Sequence, residues 1–128
     1  MKLLLDTHTF IWWDSKPSKL SPQVLALCQD HANVVLFSVA SAWEMQIKLQ
    51  LDRLKLTLSL AQMIENQRQT NNIQVLSVTL RHVLALQSLP AHHKDPFDRL
   101  LVAQANAEDA VLLSSDQVFA KYPVKLLW

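Results

Sequence analysis

The feature that most restricts this chain is a set of short, mostly apolar runs set a helix or two apart. They are Lys2–Leu5, Val34–Phe37, Val75–Val78, Val111–Leu113 and Val124–Leu127. Runs this short suit strands better than helices, and they lack the polar–apolar alternation of a sheet with one wet face. Strands apolar on both sides need cover on both sides. The segments between them read as that cover. Thr7–Trp13 reads as a short helix. Ser21 and Pro22 mark an N-cap and first helical position for a helix carrying Val24, Leu25, Leu27 and Cys28. Ser38 caps a helix running through Gln50, and further helices are expected over Ser59–Thr70, Thr79–Gln87 and Pro96–Glu108. Strands alternating with helices predict an α/β fold, a three-layer α/β/α sandwich around a mainly parallel sheet of four or five strands.

At 128 residues the chain is expected to form a single domain over 1–128, and its 50% apolar content suffices for a core without staples. The absence of glycine excludes two large function classes. A P-loop and a dinucleotide fingerprint both need glycines for tight turns and close backbone approach to phosphate. The lone cysteine, Cys28, has no intramolecular partner and sits among Val24, Leu25 and Leu27, so it reads as a small core side chain. Neither a signal peptide nor a run of about 20 apolar residues is visible, which predicts a soluble, cytoplasmic protein. With 12 basic and 11 acidic residues, the net charge of +1 carries no global signature of nucleic-acid binding.

The acids stand at informative places. Asp6 follows the first strand directly, and Asp116 follows the fourth through Ser114-Ser115. In an open parallel sheet, ligands bind beyond the carboxyl ends of the strands. Glu44 falls in the first two turns of the helix that leaves the second strand, and Asp95 and Asp98 bracket the start of another helix. Carboxylates gathered on one rim repel one another unless a cation neutralises them. Oxygen-only donors suit hard Mg²⁺ or Mn²⁺, and no Cys/His quartet is spaced for zinc. Each acid also has an ordinary reading. Asp95 or Asp98 alone would be a helix cap, and Glu44 alone a partner of Lys48 at i,i+4. Asp6 is the exception, because no capping partner is evident for it.

At these positions the chain resembles PIN domains, in particular VapC-type toxins of type II toxin–antitoxin systems. The likeness covers nearly the whole length. It rests on Leu4-Leu5-Asp6-Thr7-His8, on Ser38 to Lys48 around Trp43-Glu44, on His92 to Ala105 around Asp95-Pro96-Phe97-Asp98, and on Leu112-Leu113-Ser114-Ser115-Asp116. One departure stands out: Ala107-Glu108-Asp109-Ala110 fills a turn where family members often place glycine. The resemblance implies catalytic roles for Asp6, Glu44, Asp98 and Asp116. The metal would fall to Asp6, Asp98 and Asp116, with Glu44 and Asp95 as further candidates. It also implies that Thr7 and Ser114 hydrogen-bond the ligating carboxylates.

What the resemblance implies chemically is hydrolysis of RNA phosphodiester bonds, dependent on Mg²⁺ or Mn²⁺ and leaving a 5′-phosphate. Arg99 and Lys48 are candidate phosphate contacts, each with an ion pair as its alternative. His8, His92 and His93 are expected to serve the surface or RNA rather than proton transfer. Of Trp12 and Trp13, adjacent and therefore on different helix faces, one is expected in the core; Trp43 is expected to pack beside the site, and Met45 and Met63 to lie in the core. The implied partners are RNA, a cognate antitoxin and a second copy in a homodimer. Helix Val24–Cys28 and the stretch Leu49–Leu56 are candidate walls of the antitoxin groove. The competing reading is a non-catalytic PIN-like module that binds RNA or protein; loss of acids would mark it, and all four are present. A haloacid-dehalogenase-like enzyme would want an acid at His8, and a receiver domain would want one at Ser38.

Overall fold

The computed structural model describes residues 1–91 and 95–128. Its centre is a five-stranded, all-parallel sheet of β1 (Lys2–Leu5), β2 (Val34–Ser38), β3 (Gln74–Leu76), β4 (Val111–Leu113) and β5 (Leu126–Leu127). Across the sheet the order is β3-β2-β1-β4-β5. The chain therefore builds outward from β1 to β3, then returns to the far side of β1 for β4 and β5. Leu5 stands beside Phe37 on one side and Leu113 on the other.

Burial on both faces follows from β1 itself. Leu3 and Leu5 point into a core with Phe10, Trp13, Val24, Cys28, Phe37, Met45, Met63 and Leu113. That layer is supplied by α1 (Thr7–Ser15), α2 (Pro22–Gln29), α3 (Val39–Gln50) and α4 (Leu60–Asn71). Leu4, one residue out of phase, points the other way, into Leu36, Leu101, Val102, Ala105, Leu112 and Phe119. There α6 (Pro96–Ala107) and a 3₁₀ turn over Gln117–Lys121 form the cover, with α5 (Leu80–Ala85) against α6. Period-two side-chain alternation thus feeds two cores from one strand.

The helix starts obey local chemistry. Ser21 Oγ accepts the Val24 N–H ahead of Pro22, and Ser38 Oγ accepts that of Ala40. Ser59 and Gln62 form a capping box at α4. Several boundaries differ from the sequence expectation, and the helix expected over Thr7–Trp13 runs on to Ser15. The third strand is Gln74–Leu76 rather than Val75–Val78, and the last is Leu126–Leu127 rather than Val124–Leu127. The helix expected over Thr79–Gln87 is α5 followed by a 3₁₀ turn over Leu86–Ser88. Both strands are edge strands with one neighbour each, so ladder partners rather than their own apolar content set their length.

A buried polar chain joins the second layer. Ser38 Oγ donates to Gln104 Oε1 at 2.5 Å, and the Gln104 amide lies 3.3 Å from His82 Nδ1. His82 Nδ1 accepts the Thr79 N–H, which leaves Nε2–H to face Glu108 Oε2 at 3.0 Å. That bond, followed by the Arg81 guanidinium, holds the Glu108 carboxyl below its usual range.

Candidate active site at the switch in strand order

Because β2 and β4 flank β1, their connecting helices leave in opposite senses, and a crevice opens at the carboxyl ends of β1 and β4. Parallel sheets place ligands at such switch points. Asp6 leaves β1 there, its backbone N–H still bonded to Leu113 O at 3.2 Å. A cleft of about 210 Å³ at this point is lined by Asp6, Thr7, His8, Glu44, Lys48, Asp95, Asp98 and Asp116. The structure therefore brings together five acids from four separated stretches of sequence.

Asp6, Glu44, Asp95 and Asp116 are each held by a nameable local device. Asp6 is buried; its Oδ1 accepts the Thr9 N–H and caps α1, and its Oδ2 accepts Ser114 Oγ at 2.5 Å. The expectation that Asp6 lacks a capping partner is thus corrected: α1 begins at once after β1, and Thr9 falls in capping reach. Ser114 is itself fixed, accepting the Asp116 N–H at 3.0 Å. Asp116 caps the following 3₁₀ turn through Val118 N. Asp95 caps α6 through the N–H groups of Phe97 and Asp98. Cap and site wall are the same residue in three cases. The positive ends of α1 and α6 consequently face the cleft and offset part of its negative charge.

Glu44 is buried on α3 and takes Thr7 Oγ1 on Oε1 at 2.7 Å and Lys48 Nζ on Oε2 at 2.9 Å. Thr7 and Ser114 both hydrogen-bond acids of the cleft. Arg99, considered above as a phosphate contact, is not at the site. Its guanidinium donates to Pro90 O at 2.8 Å and reaches Leu86 O and Tyr122 Oη. Successive helix positions lie about 100° apart, so the residue after Asp98 faces away from the cleft. His8 lines the cleft, while His92 and His93 lie outside the described residues.

Beside the cleft lies an open groove of about 440 Å³ that shares Glu44, Lys48 and Asp95 with it. Its other walls are Ile47, Leu51, Arg53, Pro96 and Phe97. Glu44, Ile47, Lys48 and Leu51 follow the i, i+3, i+4, i+7 pattern of one helix face, a signal in the sequence that marks this wall. Trp43 stands at the edge of Phe97, with ring centroids 5.2 Å apart, yet it is 62% exposed rather than packed away. Of the expected antitoxin walls, Val24 and Cys28 belong to the core and supply none, whereas Leu51 is open. Trp13 is in the core; Trp12 lies at its margin against Trp128.

Among the described residues, five carboxylates face a single ammonium, Lys48, and no thiol is near, since Cys28 sits in the core. Mainly oxygen donors with net negative charge, beside the imidazole of His8, fit a hard divalent ion. Among the described residues, no three acidic, imidazole or thiol side chains are already grouped as a cage. The fit is therefore one of ligand type and charge.

Comparison with known proteins agrees with this layout. A profile of the PIN domain matches residues 3–125. Ribonuclease VapC22 of Mycobacterium tuberculosis (strain ATCC 25618 / H37Rv) is 24% identical over 116 residues, covering 90% of this chain and 87% of that protein. Among solved structures, VapBC2 from Rickettsia felis bound to a DNA fragment from the promoter has a TM-score of 0.75 at 16% identity, covering 99% of this chain and 98% of that one. DNA-bound VapBC from Salmonella typhimurium has a TM-score of 0.68 at 14% identity, with 99% and 97% covered. At such identities the structural likeness speaks for the fold.

Proposed function

The chain belongs to the PIN-domain family, and on that premise we propose that it is a metal-dependent endoribonuclease, the toxin of a toxin–antitoxin pair. The observation that carries the proposal is the convergence of Asp6, Glu44, Asp95, Asp98 and Asp116 on one cleft at the switch in strand order. Similarity to a protein named a ribonuclease supports RNA as the substrate. Likeness to VapBC assemblies supports an antitoxin partner.

In this reading Asp6, Asp98 and Asp116 hold Mg²⁺ or Mn²⁺, with Asp95 and Glu44 at the rim. The ion supplies Lewis acidity and neutralises phosphate charge. The chain's own residues do the positioning. Ser114 and the Thr9 N–H fix both oxygens of Asp6, so its carboxylate cannot swing when a phosphate approaches. Thr7 fixes Glu44, and Lys48 offers the cleft an ammonium. The reaction is hydrolysis: a water oxygen bonds to phosphorus, the bond to the 3′ oxygen breaks, and that oxygen leaves protonated with the 5′-phosphate on the other product. Among the described residues no helix is long and apolar enough to cross a membrane, and a cytoplasmic location goes with an RNA substrate.

Cleavage of total RNA by purified, antitoxin-free protein tests the proposal, with Mg²⁺ or Mn²⁺, with EDTA, and beside Asp6→Asn. Cutting is expected with metal, lost in EDTA, restored on adding metal back, and absent in Asp6→Asn. Undiminished cutting by Asp6→Asn or in EDTA would sink the metal mechanism.

A further inference from the structure

Among the described residues, Trp43 is the one Phe, Trp or Tyr ring that stands exposed; the others are buried or half-buried. It is 62% exposed and sits on α3 immediately before Glu44, which lines the acidic cleft. Phe97, half-buried on the first turn of α6, meets it with centroids 5.2 Å apart and ring planes at 77°. An edge contact of that kind steadies the indole and, at this exposure, leaves at least one of its faces open. Both rings are rooted in capped helices. Ser38 Oγ accepts the Ala40 N–H at the start of α3, and Asp95 accepts the Phe97 N–H at the start of α6. The pair is therefore a supported aromatic shelf.

Its place in the molecule points to what it holds. Phe97 lines the open groove beside the cleft, as does Ile47, which shares a helix face with Trp43 at i,i+4. Glu44, Lys48 and Asp95 line groove and cleft alike, so the two are continuous. Arg53 adds a further cation to the groove. A phosphodiester held in the cleft carries a nucleotide on either side, and the groove is an open way out for one of them. An aromatic face beside a groove with cations is how proteins hold unpaired bases without reading their sequence. We propose that Trp43 is a base subsite: its open face stacks on an unpaired base flanking the phosphodiester in the cleft, and the strand continues along the groove. The inference rests on the nuclease reading above and adds to it a grip on the substrate that the acids do not provide.

Binding of two fluorescein-labelled decamers to the full chain, followed by anisotropy in Ca²⁺, tests it. One probe is oligodeoxyadenylate; the other has the same phosphates and abasic sites throughout. Both are checked intact afterwards. The wild-type chain is expected to bind the adenylate probe about tenfold more tightly, as one stacked base allows. Trp43→Leu keeps an apolar side chain and removes the π-face. It should weaken the adenylate probe alone and bring the two to near-equal affinity, whereas Trp43→Phe keeps most of the difference. Unlabelled adenylate should also quench the tryptophan emission of the wild-type chain and leave that of Trp43→Phe unchanged. Sedimentation and circular dichroism of Trp43→Leu should match the wild type.

Equal affinity of the wild-type chain for the two probes overturns the inference without any variant. A Trp43→Leu chain that prefers adenylate by the wild-type margin overturns it as well. If Trp43→Leu turns a dimer into a monomer, the ring serves a second copy of the chain, and the inference falls. In these cases metal-dependent cutting of RNA by the wild-type chain, measured separately, keeps the nuclease reading. A wild-type chain that neither cuts RNA with metal nor binds either probe removes that reading, and the inference with it. Should circular dichroism show Trp43→Leu unfolded, the wild-type probe comparison and the Trp43→Phe emission decide.

Discussion

Asp6 does two jobs with one side chain, and the geometry separates them. Oδ1 serves α1 as its cap, and Oδ2 faces Ser114 at the cleft. Asparagine caps a helix about as well as aspartate, whereas alanine at an N-cap typically costs about 1 kcal/mol. This is why Asp6→Asn is the informative variant: it removes charge from the cleft while retaining the local device that starts α1. Cys28 makes the opposite case, a reactive residue type with no chemistry to perform. Burial against the core pushes its thiol up to about 12, from an ordinary value of 9.0. A thiol reagent at pH 8 should therefore label the folded chain slowly and the urea-unfolded chain fast. Equal rates would place Cys28 outside the core. The sign for stability follows from the same shift: the folded state holds the proton more tightly, so this contribution is intact below pH 9 and fades as pH climbs toward 12.

At the scale of elements, a chain without glycine still has to make left-handed turns. It does so at Asp52, Asn72 and Asp109, with φ of 55°, 55° and 51°. Asp and Asn are the residues that tolerate this region best after glycine. Asp109 occupies the turn before β4, and its charge is tied to Lys125 Nζ at 2.8 Å. Asn72 is the left-handed C-cap of α4. Replacing it with glycine relieves the Cβ clash, so Asn72→Gly should gain a few tenths to about 1 kcal/mol in urea unfolding, and Asn72→Ala should lose a comparable amount. A loss on Asn72→Gly would mean that its side chain does more than cap. The element starts were legible because capping is local: Ser21-Pro22, Ser38 and Ser59 each announce a helix within four residues. The edge strands β3 and β5 were less legible, since their ends depend on the length of a neighbour far away in sequence.

For the whole molecule, the exposed apolar surface asks for an explanation. Leu80, Val83 and Leu84 lie on one face of α5 and are 72%, 46% and 61% exposed. Its other face is anchored by His82 to Glu108 and to Gln104, so the helix is held firmly with its apolar side outward. If the chain pairs with a second copy, as the family resemblance implies, a copy on this face would cover these side chains. Leu80→Lys with Leu84→Lys is then expected to shift sedimentation from dimer to monomer while circular dichroism stays unchanged. A wild-type chain that sediments as a monomer at micromolar concentration would refute the homodimer.

The sequence by itself determined the class of fold, because five short apolar runs separated by capped helices admit few other arrangements. It also singled out the acids, since Asp6, Asp95, Asp98 and Asp116 stand just after a strand or at a helix start, and Glu44 within the first two turns of α3, where local chemistry is readable. What only the tertiary structure decided was direction and company. That Arg99 turns from Asp98 to Pro90 O, that Trp43 lies open, and that Val24 is core rather than groove all depend on which helix face meets the sheet. That Asp6 meets Ser114, more than a hundred residues on, depends on β4 returning beside β1. The pairing of distant strands is a global property of packing, and a local reading of residue types carries no distance between them.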